Sequence, residues 1–301
     1  MASISISEIL DYLDKKKIVY RYIGSRRGSV EGFSSLNQYR RDTLTWVKNQ
    51  ENWNADKKDF VKLCIVQEGT QINANNQIIV SNSKEIFFKV IEYFFDLPIQ
   101  SKPVGNNTVI GRNVKIGENV IIGNNCSIVG NISIGNDTII SDNVVLKNTI
   151  NIGKRCVIQS LVTIGEDGFG CYEDSNHVKT MIKHHGGVII GDDVFIGAHT
   201  NIARGTIDDT VIKNGVKIAP SSHIGHNNQI DENVTFICSQ SYGSVHIEEN
   251  AYIVGSIIKN QSIIGKDSLV GMGSVVTKNI GRNKVVVGAP AREIRDNYKA
   301  D

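Results

Sequence analysis

From Val104 onward an aliphatic residue returns at every sixth position: Ile110, Ile116, Ile122, Ile128, Ile134, Ile140, Leu146, Ile152, Ile158 and Ile164. Gly commonly follows the anchor, as at Gly105, Gly111, Gly117, Gly123, Gly135, Gly153 and Gly165. Four residues after many anchors stands a small or β-branched residue, among them Val114, Val120, Cys126, Ile132, Val144, Ile150, Cys156 and Val162. A helix repeats at about 3.6 residues and a half-buried strand at about two, so neither produces this period. A hexapeptide β-helix does. Each hexad forms one short flat side, the anchor points inward, and the following turn calls on Gly, Asn or Asp for its backbone angles. Cys126 and Cys156 fall at the small inward position and read as core fillers.

The phase returns at Ile190, Ile196 and Ile202, then at Ile212, Ile218, Ile224, Ile230, Phe236 and Tyr242. A five-residue step leads to Ile247 and Ile253, and the last run is Ile258, Ile264, Val270 and Val276. At three hexads per coil this predicts a parallel prism of about nine coils, roughly 40 Å long for strands stacked ~4.8 Å apart. Two interruptions, Gly165–Gly187 and Ala203–Val211, leave the regular scaffold and are the natural places for function.

Residues 1–97 do not follow the rule of six and read as a small α/β domain. Ser5 and Glu8 form a capping box before Ile9, Leu10 and Leu13. Val61–Gln67 and Gln77–Val80 read as strands. Asn82 and Glu85 cap a segment that sets Ile86, Phe87, Val90, Ile91 and Phe94 on one helical face. Residues 98–103, with Pro98 and Pro103, read as a linker. The prism is expected over 104–282 and a C-terminal segment over 283–301.

Composition narrows the function. Lys and Arg number 33 against 31 acidic residues, for a formal charge of +2, which argues against a broad basic nucleic-acid face. Twenty-eight Gly, four Pro and 7% aromatics fit a fold of frequent corners and thin aliphatic layers. No basic segment leading into an apolar run opens the chain, and no long apolar stretch follows, so a cytoplasmic protein without a membrane span is expected. Five cysteines without a CxxC pair read as reduced thiols.

Histidines are the candidate chemistry. His184-His185 closes the long interruption, His199 lies in the prism, His223 and His226 flank Ile224, and His246 precedes Ile247. The His-x4-His pair with which the gamma-type carbonic anhydrases hold zinc is absent, and no metal is expected. His226 sits two residues past its anchor, near a prism corner, where an imidazole can project outward and take a proton near neutral pH. A solvated turn histidine is the plainer alternative.

Several stretches carry a resemblance: Asp167-Gly168-Phe169-Gly170, Val188–Val194, Arg204-Gly205 with Asp208–Ile212, and Gly225-His226-Asn227. Together they resemble the UDP-3-O-acylglucosamine N-acyltransferases of lipid A synthesis, members of the left-handed β-helix acyltransferase superfamily. That resemblance supplies the left hand, since general crossover rules predict the opposite. In the N-terminal domain, Thr43–Asn49 resembles the family's uridine-binding region, where an aromatic ring stacks on uracil and an Asn bonds its edge. Trp46 and Asn49 match those positions, Trp53 more loosely. Simple packing of Trp46 in the small core is the competing reading.

The resemblance implies His226 as general base and the Gly243 backbone N–H as oxyanion donor. Asp167, Phe169 and Asn227 are implied around the acceptor, and the assembly is implied to be a homotrimer. The five-residue step just after Tyr242 marks an irregular corner beside Gly243. The chain departs from the family at Ala203 and Ala219, where Asp is usual, and near Ser262, where a further His is usual. The family's C-terminal helical extension, associated with acyl carrier protein, has no match here. Instead Gly288-Ala289-Pro290-Ala291-Arg292 resembles the segment that runs beside the coenzyme in hexapeptide acetyl-CoA-dependent acetyltransferases. The reading is therefore an N-acyltransferase that moves an acyl group from acyl-CoA or acyl carrier protein to the amine of a nucleotide-linked amino sugar. The lipid A N-acyltransferase proper, an O-acetyltransferase and a non-catalytic sugar-nucleotide-binding trimer are the alternatives.

Overall fold

The computed structural model describes residues 3–57, 59–96 and 102–297. Contacts divide the chain into two units, residues 1–99 and 100–301. Most of the expected linker, 98–103, lies outside the described residues.

In the first unit the elements are β1 (Ile4–Ser5), α1 (Ile6–Lys15), β2 (Arg21–Ile23), β3 (Ser29–Val30), β4 (Thr43–Val47), β5 (Val61–Gln67), β6 (Gln77–Val80) and α2 (Ser83–Phe95). The capping box opens α1: Glu8 N–H donates to Ser5 Oγ at 3.1 Å, and Ser5 N–H donates to Glu8 Oε2 at 2.8 Å. Those bonds favour the ionised Glu8 and hold its carboxyl below the usual value. Asn82 caps α2 by accepting from Glu85 N–H at 3.2 Å. The sheet runs β2-β6-β5-β4, with β6, β5 and β4 parallel and β2 antiparallel at one edge. Ile6, Ile9, Leu10 and Leu13 from α1 and Phe87 and Val90 from α2 meet Leu44, Leu63, Ile65 and Ile78 of the sheet in one core.

The second unit is a parallel β-helix. Its strands pair in register, mostly one coil of eighteen residues apart, so that Ile128, Leu146 and Ile164 stack, as do Ile140 and Ile158. The stacked anchors form one continuous aliphatic core from Ile122 to Val286. Cys126 and Cys156 are buried fillers, and burial pushes both thiols up, which keeps them protonated and inert. Asn and Asp occupy corners in left-handed conformation, for example Asn125, Asn143 and Asp193. At other corners their side chains turn inward: Asn106 N–H donates to Asn124 Oδ1 at 2.8 Å and Asn124 N–H to Asp142 Oδ1 at 2.6 Å.

The expected pattern is corrected at three places. On one face nine parallel strands stack from Ile121–Ile122 to Lys284–Val287, and a bridge from Val104 to Ile122 adds a rung to the nine coils expected. Stacking continues past residue 282 through Lys284–Val287, which Arg292–Asp296 then covers antiparallel. The anchor of the ninth interrupted hexad is Ser241, fully buried between Ile224 and Ile258, and not Tyr242, which is exposed. The five-residue step therefore lies between Phe236 and Ser241, at the corner where Cys238 adopts φ 43°. A small polar side chain satisfies the inward position there because Ser241 Oγ donates to His223 O at 3.4 Å.

Candidate active site

His226 is presented by a corner that its own sequence builds. Ile224 points into the core, and Gly225 passes so close to the next coil that a β-carbon would lie 2.7 Å from Tyr242 C. Asn227 then turns the chain at φ 58°, and Asn228, fully buried, donates to Gly225 O at 2.8 Å and to Tyr242 O at 2.7 Å. With the chain reversed around these groups, the His226 imidazole is left facing outward.

It faces a groove of about 760 Å³ whose lining includes Asp167, Gly168, Phe169, Met181, Ala203, His223, Tyr242, Gly243, Ser244, Asn260 and Gln261. The long interruption forms one wall. After Asp167 it runs into a hairpin of Cys171–Glu173 against Lys179–Met181. Phe169 and Met181 stand out from that wall, exposed by 79% and 56%. Asp167 anchors it: Oδ1 pairs with the nearly buried Arg204 at 2.8 Å, and Oδ2 accepts from His184 N–H at 3.2 Å.

The hydrogen bonds around Asn227 decide which nitrogen of His226 carries the proton. Asn227 Nδ2 donates to Asp208 O at 2.8 Å, and Oδ1 accepts from Thr206 N–H at 3.0 Å and from Thr206 Oγ1 at 2.9 Å. A backbone carbonyl only accepts and a backbone N–H only donates, so the amide orientation is fixed. His226 Nδ1, 2.9 Å from the same Oδ1, must then donate. The neutral ring consequently holds its free lone pair on Nε2.

That nitrogen faces Gly243. A β-carbon there would lie 2.5 Å from both Nε2 and Cε1 of His226, and all three of its nearest atoms belong to the imidazole. The flanking N–H groups are committed, Tyr242 to Ile258 O and Ser244 to His226 O, whereas none of the hydrogen bonds among the described residues uses the Gly243 N–H. Gly168 also packs against this ring, less tightly, with a β-carbon 2.9 Å from His226 Cδ2. His223, half-buried in the groove, has its imidazole pKa pushed down by burial, which favours the neutral ring. Asn260 and Gln261 stand one coil above Gly243 and Ser244; the sequence signal for them was the register Ile224, Ser241, Ile258 at seventeen-residue steps.

Three of the remaining candidates belong to the first unit and the others to the C-terminal end of the second. Trp46, in β4, is partly buried against the first unit's core beside Phe87, with ring centroids 6.4 Å apart. Asn49 is exposed at the start of a short 3-10 turn and makes no capping bond. Trp53 sits edge-on to Tyr39, and its Nε1 donates to Asn73 Oδ1 at 2.7 Å. Gly288, at φ 95°, holds the C-terminal segment by accepting from Val275 N–H at 3.0 Å, and Ala291 N–H returns to Val275 O at 2.9 Å. Gly288, Ala289 and Pro290 line neither the groove nor the hollow of about 300 Å³ that Arg292 borders with Thr277 and Lys278. No group of three His, Cys, Asp or Glu side chains arranged to hold a metal occurs among the described residues. Among those residues, too, no helix is long and apolar enough to cross a membrane.

Known proteins resemble part of this chain. The UDP-3-O-acylglucosamine N-acyltransferase of Delftia acidovorans is 36% identical over 124 residues, covering 40% of this chain and 37% of that enzyme. The enzyme of the same name from Coxiella burnetii is 49% identical over 79 residues, 26% of this chain and 23% of the relative. Among solved structures, LpxA from Acinetobacter baumannii superposes with a TM-score of 0.59 at 22% identity, over 65% of this chain and 75% of that one. That likeness shows the fold, a left-handed β-helix. The UDP-N-acetylglucosamine acyltransferase of Francisella novicida matches with a TM-score of 0.58 at 24% identity, over 63% and 69% of the two chains. No protein-family model matches the chain. Its matches span about a quarter to two fifths of the length of these curated relatives.

Proposed function

We propose that this protein is an N-acyltransferase that moves an acyl group from a thioester to the amine of a nucleotide-linked amino sugar. The observation that carries the reading is the His226 corner: Nδ1 is committed to Asn227, and the Nε2 lone pair faces Gly243 and its unused N–H across an open groove. In the step this supports, the acceptor nitrogen attacks the thioester carbonyl as Nε2 takes a proton from it. The carbonyl oxygen becomes an oxyanion, which the Gly243 N–H stabilises. Collapse breaks the carbon–sulfur bond, and the proton held on Nε2 passes to the departing sulfur, giving an amide and a free thiol. No covalent enzyme intermediate is required.

The relatives named above support a sugar nucleotide as acceptor, with Trp46 and Asn49 holding its base. Asp167, Phe169 and Asn227 shape the acceptor end of the groove. For the donor we favour a short acyl-CoA over acyl carrier protein. In the strand register the position equivalent to His226, Gly243 and Asn260 is next occupied by Lys278. That places Lys278 three coils away, on the order of 14 Å at ~4.8 Å per coil. Lys278 and Arg292 border one hollow there, and two cations at that distance suit the phosphates of a coenzyme whose thioester lies at His226. A cytoplasmic homotrimer is part of the reading, with the Gly165–Gly187 wall reaching a neighbouring copy; sedimentation as a monomer overturns that part.

Thiol release is the test. UDP- and dTDP-linked amino sugars are offered with acetyl-CoA, longer acyl-CoAs and acyl carrier protein thioesters. Release is expected with an amino sugar and lost in His226→Ala while the assembly stays intact. Wild-type turnover in that variant removes the assignment. Binding of sugar nucleotide with no thiol release from any donor favours the non-catalytic trimer.

A further inference from the structure

His184 closes the long interruption and is fully buried. Its Nδ1 lies 2.9 Å from Ile182 O, so Nδ1 holds a proton and donates it to the carbonyl. The neutral ring leaves a lone pair on Nε2, and that buried atom has no partner among the described residues. An unpaired buried acceptor costs stability that an apolar side chain would spare, so it calls for an explanation.

Its surroundings supply one. The His184 and His226 rings are perpendicular, at 83°, with centroids 5.3 Å apart. Gly168 passes between them: a β-carbon there would lie 2.9 Å from His226 Cδ2 and 3.1 Å from His184 Nε2, so those two atoms are within about 6 Å of each other. In its Nδ1–H form an imidazole is negative at Nε2, and this end faces His226. Among the described residues, the groove lining offers no other unpaired negative group. Asn227, behind His226, is a neutral amide, and Asp167, the one carboxylate lining the groove among the described residues, is paired with Arg204.

We infer that His184 is a positioning residue for His226: its perpendicular ring holds the orientation of the imidazole, and its unpaired Nε2 stabilises the positive charge His226 carries after taking the acceptor's proton. The inference rests on His226 being the base, as proposed above.

Three substitutions separate the parts. His184→Gln can place an acceptor oxygen near the Nε2 position. His184→Asn keeps a donor for Ile182 O and loses that acceptor. His184→Phe keeps a ring and loses both. With acetyl-CoA and a UDP-linked amino sugar, the Gln variant is expected to stay within about 3-fold of wild type, and Asn and Phe to lose about 10-fold or more in kcat. KM for both substrates should stay within about 2-fold, because the interaction acts on the transition state. Nitrogen-15 histidine spectra of the full chain, assigned with His226→Ala, report whether the Nδ1–H form of His226 persists. Asn and Phe variants that keep this signature and turn over like wild type overturn the inference. So does an equal loss in all three variants that tracks their melting temperatures, which marks a packing role alone. His226→Ala at wild-type rate instead overturns the base assignment, a different result.

Discussion

Gly243→Ala asks whether the corner is built around the imidazole. A β-carbon at residue 243 would lie 2.5 Å from Nε2 and from Cε1 of His226. Ordinary carbon contacts begin near 3.5 Å, so the overlap is roughly 1 Å. Gly243 does not need its conformational freedom, because its φ is not in the left-handed region. Nor does the backbone have to give, since the atoms in the way are the edge of a ring that borders an open groove. The ring therefore swings, and the 2.9 Å bond from Nδ1 to Asn227 stretches with it. The fold should lose at most about 1 kcal/mol, the mild end of overpacking. Catalysis should lose far more, since a base misplaced by about 1 Å costs on the order of 100-fold. Gly168→Ala is the graded control. Its nearest His226 atoms, Cβ and Cδ2, stand 2.9 Å away, a smaller overlap than the 2.5 Å at Gly243 and not onto Nε2 itself, so its loss of kcat should be smaller. Steady-state thiol release and thermal melts measure both variants. A Gly243→Ala enzyme with wild-type kcat, or one damaged less than Gly168→Ala, refutes the placement of the base.

Two further outcomes follow from burial. The His223 imidazole is harder to protonate in the fold than in the unfolded chain, so the unfolded state binds more protons and stability falls as pH drops below the unfolded pKa, about 6.5. The carboxyls held low, Glu8, Glu85, Glu173, Asp193 and Asp231, lose their contribution only below about pH 4.5. His223→Gln should therefore flatten the dependence of melting temperature on pH between about 6.5 and 5; an unchanged slope in that window contradicts it. Ile224→Ala opens a cavity in the continuous core beneath the site and should cost about 2–5 kcal/mol in denaturant unfolding. A loss below about 1 kcal/mol would show that the neighbouring coils collapse to fill the space.

The prism was legible because each of its coils repeats one physical requirement. A coil buries one anchor on each of its three sides, and stacking forces the residue eighteen positions on to meet the same need, as Ile128, Leu146 and Ile164 do. Among the anchors, the pattern misled where a polar residue met that need. Ser241 fills an anchor position, and Tyr242, the nearest large side chain, drew the hexad one residue out of step. Hydrophobicity alone cannot separate the two, because the decision belongs to the hydrogen bond from Ser241 Oγ to His223 O, a contact between coils.

The site was legible in parts for the opposite reason. His226, Asn227 and Gly243 stand where the repeat exposes a corner, and their offsets from Ile224 and Ser241 place them on adjacent coils. His184 could be noticed as a histidine but not given a role, since it lies on the interruption, where the repeat carries no information about position. Its place is set by Asp167, which accepts its N–H, and by Arg204, which pairs with that carboxylate from the next coil. The same wall explains why Phe169 and Met181 remain exposed although apolar residues line most of the scaffold inward. A loop held by an ion pair to a buried arginine, and carrying a buried, unpaired imidazole, is positioned for what lies beside it. What lies beside it is His226, whose Nε2 lone pair faces Gly243.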